Sequence, residues 1–417
     1  MRQNRDRPLR VMPNPGISAN YGTRTRQEQL PPEQKIRTVS DIKPNIRRIA
    51  LVNMDYTLLI SMILLVLIGI VMVYSASYYV AGTSARFGHD MFRPVRSQIM
   101  AAIMGFGALI IMTNFSYHKH LRKLSFLAYI AAVVLLILTV LIGEDAGGAR
   151  RWINLPVIGR FQPSEVAKLS LIMLMAHMIA AKRKMADNLV GIGILSIFIG
   201  VLTVIVGIGT NNMSSAIIII VIGFGTIFIA SSRIWLFVAG GAVGVAGLIA
   251  LLATGAGFRA GRFAAWLDPF ADPTGSGFQI IQSLFAIGSG GMFGLGLGQS
   301  RQKLGFIPEA HNDIIFSVIA EELGFVGAAL VLFLFGVYLW RAIKIALNAK
   351  DLYGCLLATG IALMIGSQAL INIAVVTNSI PNTGVPLPFI SHGGTSLLVL
   401  MTATGILLNI SRYQSKD

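Results

Sequence analysis

Charge, cysteine and internal repetition are all scarce in this sequence. Only 12% of its 417 residues are charged and 54% are hydrophobic, whereas about a quarter of the residues of an ordinary soluble protein are charged. We therefore predict an integral membrane protein. The single cysteine, Cys355, excludes an intrachain disulfide, a CxxC redox motif and a thiolate zinc site. The lack of a visible internal repeat argues against many transporter folds.

Ten apolar runs are long enough to cross a bilayer, which takes roughly 20 residues of helix. The sequence predicts an all-α fold, a polytopic membrane protein with about ten transmembrane helices. A long extracytoplasmic loop, residues 254–311, joins helices 7 and 8 and contains a semi-apolar stretch at 278–291; loops of this length usually carry function. The predicted spans are 56–76, 98–112, 124–142, 164–181, 189–208, 214–230, 234–253, 312–340, 354–377 and 392–410.

The cations are distributed unevenly and predict the topology. Residues 1–55 contain eleven of the 34 Lys and Arg, a composition typical of a disordered basic cytoplasmic tail. With that tail inside, 23 of the 34 cations lie on the cytoplasmic side, as the positive-inside rule requires. The membrane domain, 56–411, then begins with a signal anchor rather than a cleavable signal peptide, and the short tail 412–417 is cytoplasmic. Cations that gather at the cytoplasmic edge of the membrane explain the +16 net charge, so nucleic-acid binding is not needed to explain it.

The first candidate site surrounds the start of the fourth span. Ser164 is a candidate N-cap, and Glu165 and Lys168 have the i,i+3 spacing of a pair on one helix face. A capped helix with a snorkelling lysine would explain these residues without a function. An anionic phosphate ligand would instead explain four cations near one outer mouth, and both interpretations remain open. The four are Arg150, Arg151, Arg160 and Lys168.

The second candidate site is the segment that precedes the eighth span. On a helix, Asp313, Ser317 and Glu321 would share one face that runs inward from the outer interface. A carboxylate at that depth is a candidate general base. The simpler alternative, which the pattern alone favours slightly, is that Asn312 or Asp313 caps the helix. His311 by itself is weak support for a metal site.

The third candidate site is the segment 382–396, which includes His392. Its prolines prevent a helix, and its glycines permit tight turns. Non-helical backbone at membrane depth persists only inside protein or beside a wet cavity. The segment is therefore either a structural re-entrant corner or a wall of the site. The outer stretch 266–273 has two Asp-Pro pairs, which are typical of turns.

These segments, in this order, resemble the SEDS family of cell-wall proteins (shape, elongation, division and sporulation), which includes FtsW, RodA and SpoVE. The resemblance covers residues 50–410, and residues 298–303 with 309–311 look most like the FtsW-type division and sporulation branch. Departures include His392, where tyrosine is usual, and Thr395, where serine is common. The motifs that carry the resemblance are Gly148–Ile153, Gln162–Lys168, Leu267–Pro273, Ile287–Gly291, Pro308–Asp313 and Pro386–Gly394.

The resemblance implies a peptidoglycan glycosyltransferase that polymerises lipid II on the outer face of the cytoplasmic membrane, at the division septum. It implies that Asp313 is the essential aspartate, that Trp152 is functionally important, and that Arg160 and Lys168 form a basic pair. A divalent cation, Mg or Mn, would be an optional cofactor. Further candidates for substrate contact are Arg150, Arg151, Glu165, Ser317, Glu321 and His392.

The resemblance also implies partners. Crosslinking would fall to a separate class B penicillin-binding protein, a transpeptidase, because no such domain is visible here; other division-complex proteins would bind too. Two alternatives of a different class remain, a lipid II flippase and a scaffold for division proteins. Within the enzyme class, RodA-type elongation and SpoVE-type sporulation are the alternatives to division.

Overall fold

The computed structural model describes residues 54–145, 150–155, 159–233, 235, 258–304 and 310–414. Nine helices within these ranges are long and apolar enough to cross a membrane. They coincide with nine of the predicted spans, so the predicted all-α membrane fold is confirmed. The remaining predicted span, 234–253, lies outside the described residues except for Trp235, and the predicted basic tail lies outside them except for Met54 and Asp55.

Eleven α-helices, three short strands and three 3₁₀ turns (Ala85–Phe87, Arg183–Ala186 and Pro269–Ala271) make up most of the regular structure of the described residues. A π-helical turn, Tyr117–Leu121, leads into the third helix, and another, Ile205–Gly209, extends the fifth. The strands are β1 (Glu144–Asp145), β2 (Arg150–Leu155) and β3 (Gly159–Phe161). The helices are α1 (Tyr56–Thr83), α2 (Arg93–Asn114), α3 (Arg122–Ile142), α4 (Pro163–Ala181), α5 (Leu189–Val204), α6 (Met213–Ala230), α7 (Phe258–Leu267), α8 (Phe278–Ser289), α9 (Ile315–Leu347), α10 (Leu352–Val376) and α11 (Gly394–Ser411).

Short polar side chains fix where several spans begin. The first amides of a helix have no partner within the helix, and a side-chain oxygen that accepts from one of them removes this cost. Asp55 accepts from the amide of Leu58 at 3.0 Å, and Asp351 accepts from the amide of Gly354 at 2.8 Å. Asp55 and Asp351 thus each mark the start of a span, a position that hydrophobic periodicity alone locates poorly.

Helix α11 forms the centre of the bundle, since 83% of its residues are buried. It packs most closely against α2, where small residues allow the backbones to approach. A Cβ at Gly405 would lie 2.7 Å from the carbonyl oxygen of Leu109. Close backbone approach of this kind stabilises helix pairs in lipid through van der Waals packing, because lipid supplies no hydrophobic driving force for helix association.

Helix α9 is broken at Gly324, whose φ of 68° and ψ of −167° are not helical. The chain that follows α8 fills the break, and four backbone hydrogen bonds of 2.9–3.1 Å satisfy groups near the break. The predicted long loop therefore contains two helices and a segment that enters the bundle. The four bonds join the amides of Leu295 and Gly296 to the carbonyls of Glu321 and Glu322, and the amides of Phe325 and Val326 to the carbonyls of Gly291 and Met292.

The Asp-Pro stretch forms turns, as predicted. The carboxylate of Asp268 accepts from the amide of Phe270 at 3.1 Å, and that of Asp272 accepts from the amides of Gly275 and Ser276. The bonds from Ser276 are the main reason that the pKa of Asp272 is lowered. Both aspartates are exposed turn residues rather than parts of a buried site.

The non-helical segment between α10 and α11 packs against the middle of α1. A Cβ at Gly69 of α1 would lie 2.7 Å from the Cα of Ile390 and 2.7 Å from the carbonyl oxygen of Phe389. Ile390 and Phe389 are themselves buried. The absence of a side chain at Gly69 is therefore what allows this segment to reach the interior of the bundle.

This packing predicts that Gly69→Ala destabilises the protein. The added methyl group would push against backbone atoms that cannot rotate away, and overpacking of this kind costs about 1–3 kcal/mol. Thermal unfolding in detergent measures the effect. The matched control is Gly107→Ala on α2, because a Cβ there has nothing within 4 Å. This variant should keep or raise the midpoint, since alanine favours the helix more than glycine does. Equal midpoints for the two variants would contradict the packing described.

Candidate functional site

Strand β2 places a tryptophan, a carboxylate and an arginine together at one end of the bundle. It pairs antiparallel with β1 and β3, so that Trp152 lies opposite Glu144 and Asn154 lies opposite Arg160. Glu144 accepts a hydrogen bond from the Asn154 amide, and the Arg160 Nε lies 3.5 Å from the other Glu144 oxygen. The side chain of Arg160 remains 45% exposed, so its guanidinium can exchange this contact for a ligand.

The two arginines at the start of β2 bind backbone carbonyls. Arg150 donates to the carbonyl of Val140 near the end of α3 at 3.4 Å, and Arg151 donates to the carbonyl of Asn211 before α6 at 2.9 Å. These contacts anchor the sheet to the neighbouring helices. The sequence pattern predicted a phosphate contact for both residues and gave no sign of this anchoring.

Helix α4 contains a buried ion pair in its first two turns. The Lys168 ammonium lies 2.7 Å from Glu165, and the two side chains are 1% and 2% exposed. The predicted i,i+3 pairing is confirmed, whereas the snorkelling lysine is wrong, because Lys168 does not reach the surface. The predicted N-cap at Ser164 is also wrong. Gln162 occupies the cap position and Pro163 is the first helical residue, since proline fits the first turn, where no amide donor is needed.

Asp313 lies in the turn just before α9 and is half-buried. The helix begins at Ile315 and its N-cap is Ile314, without a side-chain cap, so the prediction that Asn312 or Asp313 caps it is wrong. A Cβ at Gly384 would lie 3.3 Å from the Asp313 Oδ2. The carboxylate therefore faces the glycine-containing wall of the segment 382–396.

Ser317 and Glu321 lie deeper than Asp313 and are almost fully buried. The Ser317 hydroxyl donates to the carbonyl of Ile314 at 2.8 Å. Glu321 accepts from the Ser300 hydroxyl at 2.5 Å and from the Arg301 amide at 2.9 Å. Because Asp313 precedes the helix, the predicted single helical face that joins it to these two residues does not form.

The segment 382–396 is held against the turn that carries Asp313. The His392 amide donates to the carbonyl of His311 at 2.9 Å, and their ring centroids are 5.5 Å apart. The Ser391 hydroxyl donates to the carbonyl of Asn312 at 2.5 Å. His392 is thus a neighbour of the aspartate turn, and the segment is both a buried corner and a wall beside Asp313.

The same segment continues to the cations on the other side. The Thr395 hydroxyl donates to the carbonyl of Arg160 at 3.1 Å, and the Ser396 hydroxyl lies 3.5 Å from the free oxygen of the Glu165 carboxylate. Residues 392 and 396 are four positions apart, and four residues span at most about 14 Å. One short stretch of chain therefore holds the Asp313 turn next to the region of Arg160 and the Lys168–Glu165 pair.

Two buried amide side chains that the sequence reasoning missed complete this arrangement. Asn372 donates to the carbonyl of Asp313 at 2.6 Å and to the carbonyl of Val385 at 2.8 Å. Gln98 of α2 binds the carbonyl of Ser391 and the amide of Gly393, both at 3.3 Å. The sequence feature that could have identified both residues is a side-chain amide inside an otherwise apolar span, because a buried polar group there needs a partner.

The described residues contain no group of three or more His, Cys, Asp or Glu side chains placed to hold a metal ion. A hard cation such as Mg²⁺ is nevertheless often held by one or two carboxylates together with substrate phosphates. Asp313 could supply one such carboxylate. The predicted use of Mg or Mn stays a prediction.

Comparison with known sequences places this architecture among cell cycle proteins. The FtsW/RodA/SpoVE family, described as cell cycle proteins, matches residues 55–416. Stage V sporulation protein E of Bacillus subtilis (strain 168) is 42% identical over 363 residues, which are 86% of this chain and 97% of the relative. "Probable peptidoglycan glycosyltransferase FtsW" of Geobacter sp. (strain M18) is 38% identical over 364 residues, 86% of this chain and 96% of the relative.

Solved structures with the same fold include a chain of a peptidoglycan synthase complex, described for its structural coordination of polymerization and crosslinking. That chain is 27% identical, with a TM-score of 0.72 and coverage of 87% of this chain and 99% of its own length. The rod shape determining protein RodA of Thermus thermophilus is 25% identical, with a TM-score of 0.64 and coverage of 87% and 98%.

The two carbonyl contacts of Asn372 predict that Asn372→Leu lowers the thermal stability of the protein. The substitution leaves two backbone carbonyls without this donor, and each unsatisfied buried group costs about 1–3 kcal/mol. The matched control is Gln368→Leu one turn away on α10, because the buried Gln368 amide has no partner among the described residues. Its unfolding midpoint should stay constant or rise. A similar fall for both variants would show that the Asn372 bonds contribute nothing specific.

Proposed function

We propose that this chain, which belongs to the FtsW/RodA/SpoVE family of cell cycle proteins and is a peptidoglycan glycosyltransferase, polymerises lipid II with Asp313 as the base. The observation that carries the proposal is the segment 391–396, which contacts both the Asp313 turn and the residues around Arg160 and Lys168. The attacked sugar carbon of lipid II is bonded directly to the pyrophosphate. A base and a pyrophosphate site must therefore lie close together, and the two sets of contacts made by this one short segment support that arrangement.

The reaction needs one proton acceptor. The 4-hydroxyl of the acceptor sugar attacks the anomeric carbon of the donor, its proton passes to the Asp313 carboxylate, and the bond from that carbon to the pyrophosphate oxygen breaks. The displacement inverts the configuration and forms a β-1,4 linkage. Undecaprenyl pyrophosphate is already a good leaving group, so a single carboxylate base suffices, and general-base catalysis typically supplies about 10²–10⁴-fold.

The leaving pyrophosphate needs positive charge, which Arg160 supplies in our proposal. Among the described residues, its half-exposed guanidinium has one ion-pair contact, at 3.5 Å from Glu144. A phosphate is also anionic and can accept two parallel hydrogen bonds from an arginine. In this proposal the buried Lys168–Glu165 pair supports the pyrophosphate site, and Trp152 offers an aromatic face to the sugars. A divalent cation at the pyrophosphate would add further neutralisation of its charge.

We place the Asp313 end of the bundle on the extracytoplasmic side. The opposite end joins the start of α1 to the ends of α9 and α11, since Asp55 binds Arg341 and Ser411 there. That end and its loops carry 11 of the 22 Lys and Arg in the described ranges. The eleven Lys and Arg of residues 1–55 also precede α1 in the sequence, and together these cations support a cytoplasmic location under the positive-inside rule. The eleven in the described ranges are Lys119, Arg122, Lys123, Lys182, Arg183, Lys184, Arg233, Arg341, Lys344, Lys350 and Arg412.

A separate transpeptidase completes the proposed activity. The similar chain in the solved peptidoglycan synthase complex, where polymerization and crosslinking are coordinated, matches along 99% of its length. This likeness supports a class B penicillin-binding protein as partner, together with other proteins of the division complex. Polymerisation assays of the purified protein should accordingly include such a partner.

The central prediction is that Asp313→Asn abolishes glycan polymerisation. Labelled lipid II is mixed with the reconstituted protein and its transpeptidase partner, and chain length is read on a gel. The amide keeps the size of the carboxylate but accepts no proton, so the rate should fall by about 10²–10⁴-fold. The control is Asp272→Asn in the exposed turn, which should retain activity. Full polymerisation by Asp313→Asn, or movement of fluorescent lipid II across liposomes without elongation, would overturn the proposal, the latter in favour of a flippase.

The cellular role can be assigned by complementation. We propose a division role of the FtsW type, but the 42% identity with the B. subtilis sporulation protein, against 37% with the FtsW of the same strain, favours a sporulation role as the second candidate. Expression in B. subtilis depleted of FtsW should restore septa if the division role is correct. Rescue only of a strain that lacks the sporulation protein, with no septa in the depleted strain, would assign the second role instead.

A further inference from the structure

A second buried ion pair lies in the bundle, away from Lys168. The Lys303 ammonium is 2.7 Å from Glu322 of α9, and the two side chains are 5% and 0% exposed. Ser75 of α1 joins the pair, because its hydroxyl donates to the Glu322 carboxylate at 2.7 Å and accepts from Lys303 at 2.9 Å. Three separate parts of the chain, α1, α9 and the segment after α8, thus meet at this pair.

Backbone amides reinforce the same contact. Glu322 also accepts from the amides of Gly298 at 3.0 Å and Ser300 at 3.3 Å, while the adjacent Glu321 accepts from the Ser300 hydroxyl. The carboxylates of both glutamates are therefore directed at residues 298–303. We call this set of contacts between residues 298–303 and the two glutamates the latch.

The latch lies next to the break in α9 at Gly324. Glu322 is seven residues inside the helix, about 10 Å below its start at a rise of about 1.5 Å per residue. Charges at such depth are costly unless they are paired, and they commonly mark functional sites. An apolar pair could join the helices at lower cost, so the presence of charges here calls for a function beyond packing.

We propose that Lys303 and Glu322 are positioning residues for Asp313, and this inference rests on the proposed function. Lys303 stands ten positions before Asp313 in the chain, and Asp313 leads directly into α9. Lys303 and the turn that contains Asp313 are therefore both attached to α9, the first through the latch and the second by the chain itself.

The contacts on the far side cannot replace the latch. Asn372 and the segment 391–392 hold the backbone of residues 311–313 towards α10 and α11. These bonds fix the turn on one side, whereas the latch fixes residues 298–303, which precede the turn in the sequence. Release of the latch leaves the turn folded but displaces the carboxylate, and an error of about 1 Å at a reacting group can cost about 10²-fold in rate.

The first test compares Lys303→Met and Glu322→Gln with a matched pair of variants, Arg341→Met and Asp55→Asn. The Arg341–Asp55 ion pair, at 2.7 Å, also joins α1 to α9 but lies at the opposite end. We expect the latch variants to lower the polymerisation kcat by about 10–100-fold with the KM for lipid II unchanged. Equal losses of kcat in both sets of variants, at equal unfolding midpoints, would show that the ion pairs serve packing only.

The second test follows the position of residue 313 without catalysis. In a Cys355→Ser background, which removes the only native cysteine, Asp313→Cys is labelled with a membrane-impermeant maleimide. Addition of Lys303→Met should change the labelling rate several-fold, whereas addition of Arg341→Met should not. An unchanged rate with Lys303→Met would overturn the positioning role. A changed rate together with full polymerisation by Asp313→Asn would retain the latch and reject Asp313 as the base.

Discussion

The requirement that every buried charge or backbone polar group find a partner inside an apolar bundle controls this structure. In a bilayer no water can satisfy such groups, so each departure from regular helix is accompanied by polar side chains. The break at Gly324 is filled by backbone from residues 291–296. The non-helical stretch before α11 is bound by Gln98 and Asn372. These polar groups collect at one end of the bundle, where Asp313 lies.

The same requirement explains how residues far apart in the chain form one site. Thr395 binds the carbonyl of Arg160, and Ser391 binds the carbonyl of Asn312. Residues 391–393 precede α11 and residues 394–396 form its first turn, so the side chains of Ser391 and Thr395 are available to bind other elements. One short stretch thus satisfies its hydrogen bonds and, as a consequence, holds the proposed base near the proposed pyrophosphate site.

The sequence was sufficient for the spans and for local pairings, but not for long-range partners. Apolar length predicted nine spans that the structure confirms, and i,i+3 spacing predicted the Lys168–Glu165 pair. Helix starts were less predictable. Helix α4 begins at Pro163 rather than after Ser164, and α9 begins at Ile315 rather than directly after Asn312 or Asp313. The partner of Lys303 could not be predicted, because Glu322 and Ser75 meet it only after α1 and α9 have packed. The charge of Arg150 and Arg151 likewise did not predict their hydrogen bonds to the carbonyls of Val140 and Asn211.

The most direct test of the account is a structure of the Asp313→Asn variant with lipid II bound as both donor and acceptor. We expect the donor pyrophosphate to lie against Arg160 and the acceptor 4-hydroxyl to lie about 3 Å from residue 313, within hydrogen-bond reach of a base. A pyrophosphate bound away from Arg160, with the acceptor hydroxyl out of reach of residue 313, would contradict the claim that residues 391–396 hold base and leaving-group site together.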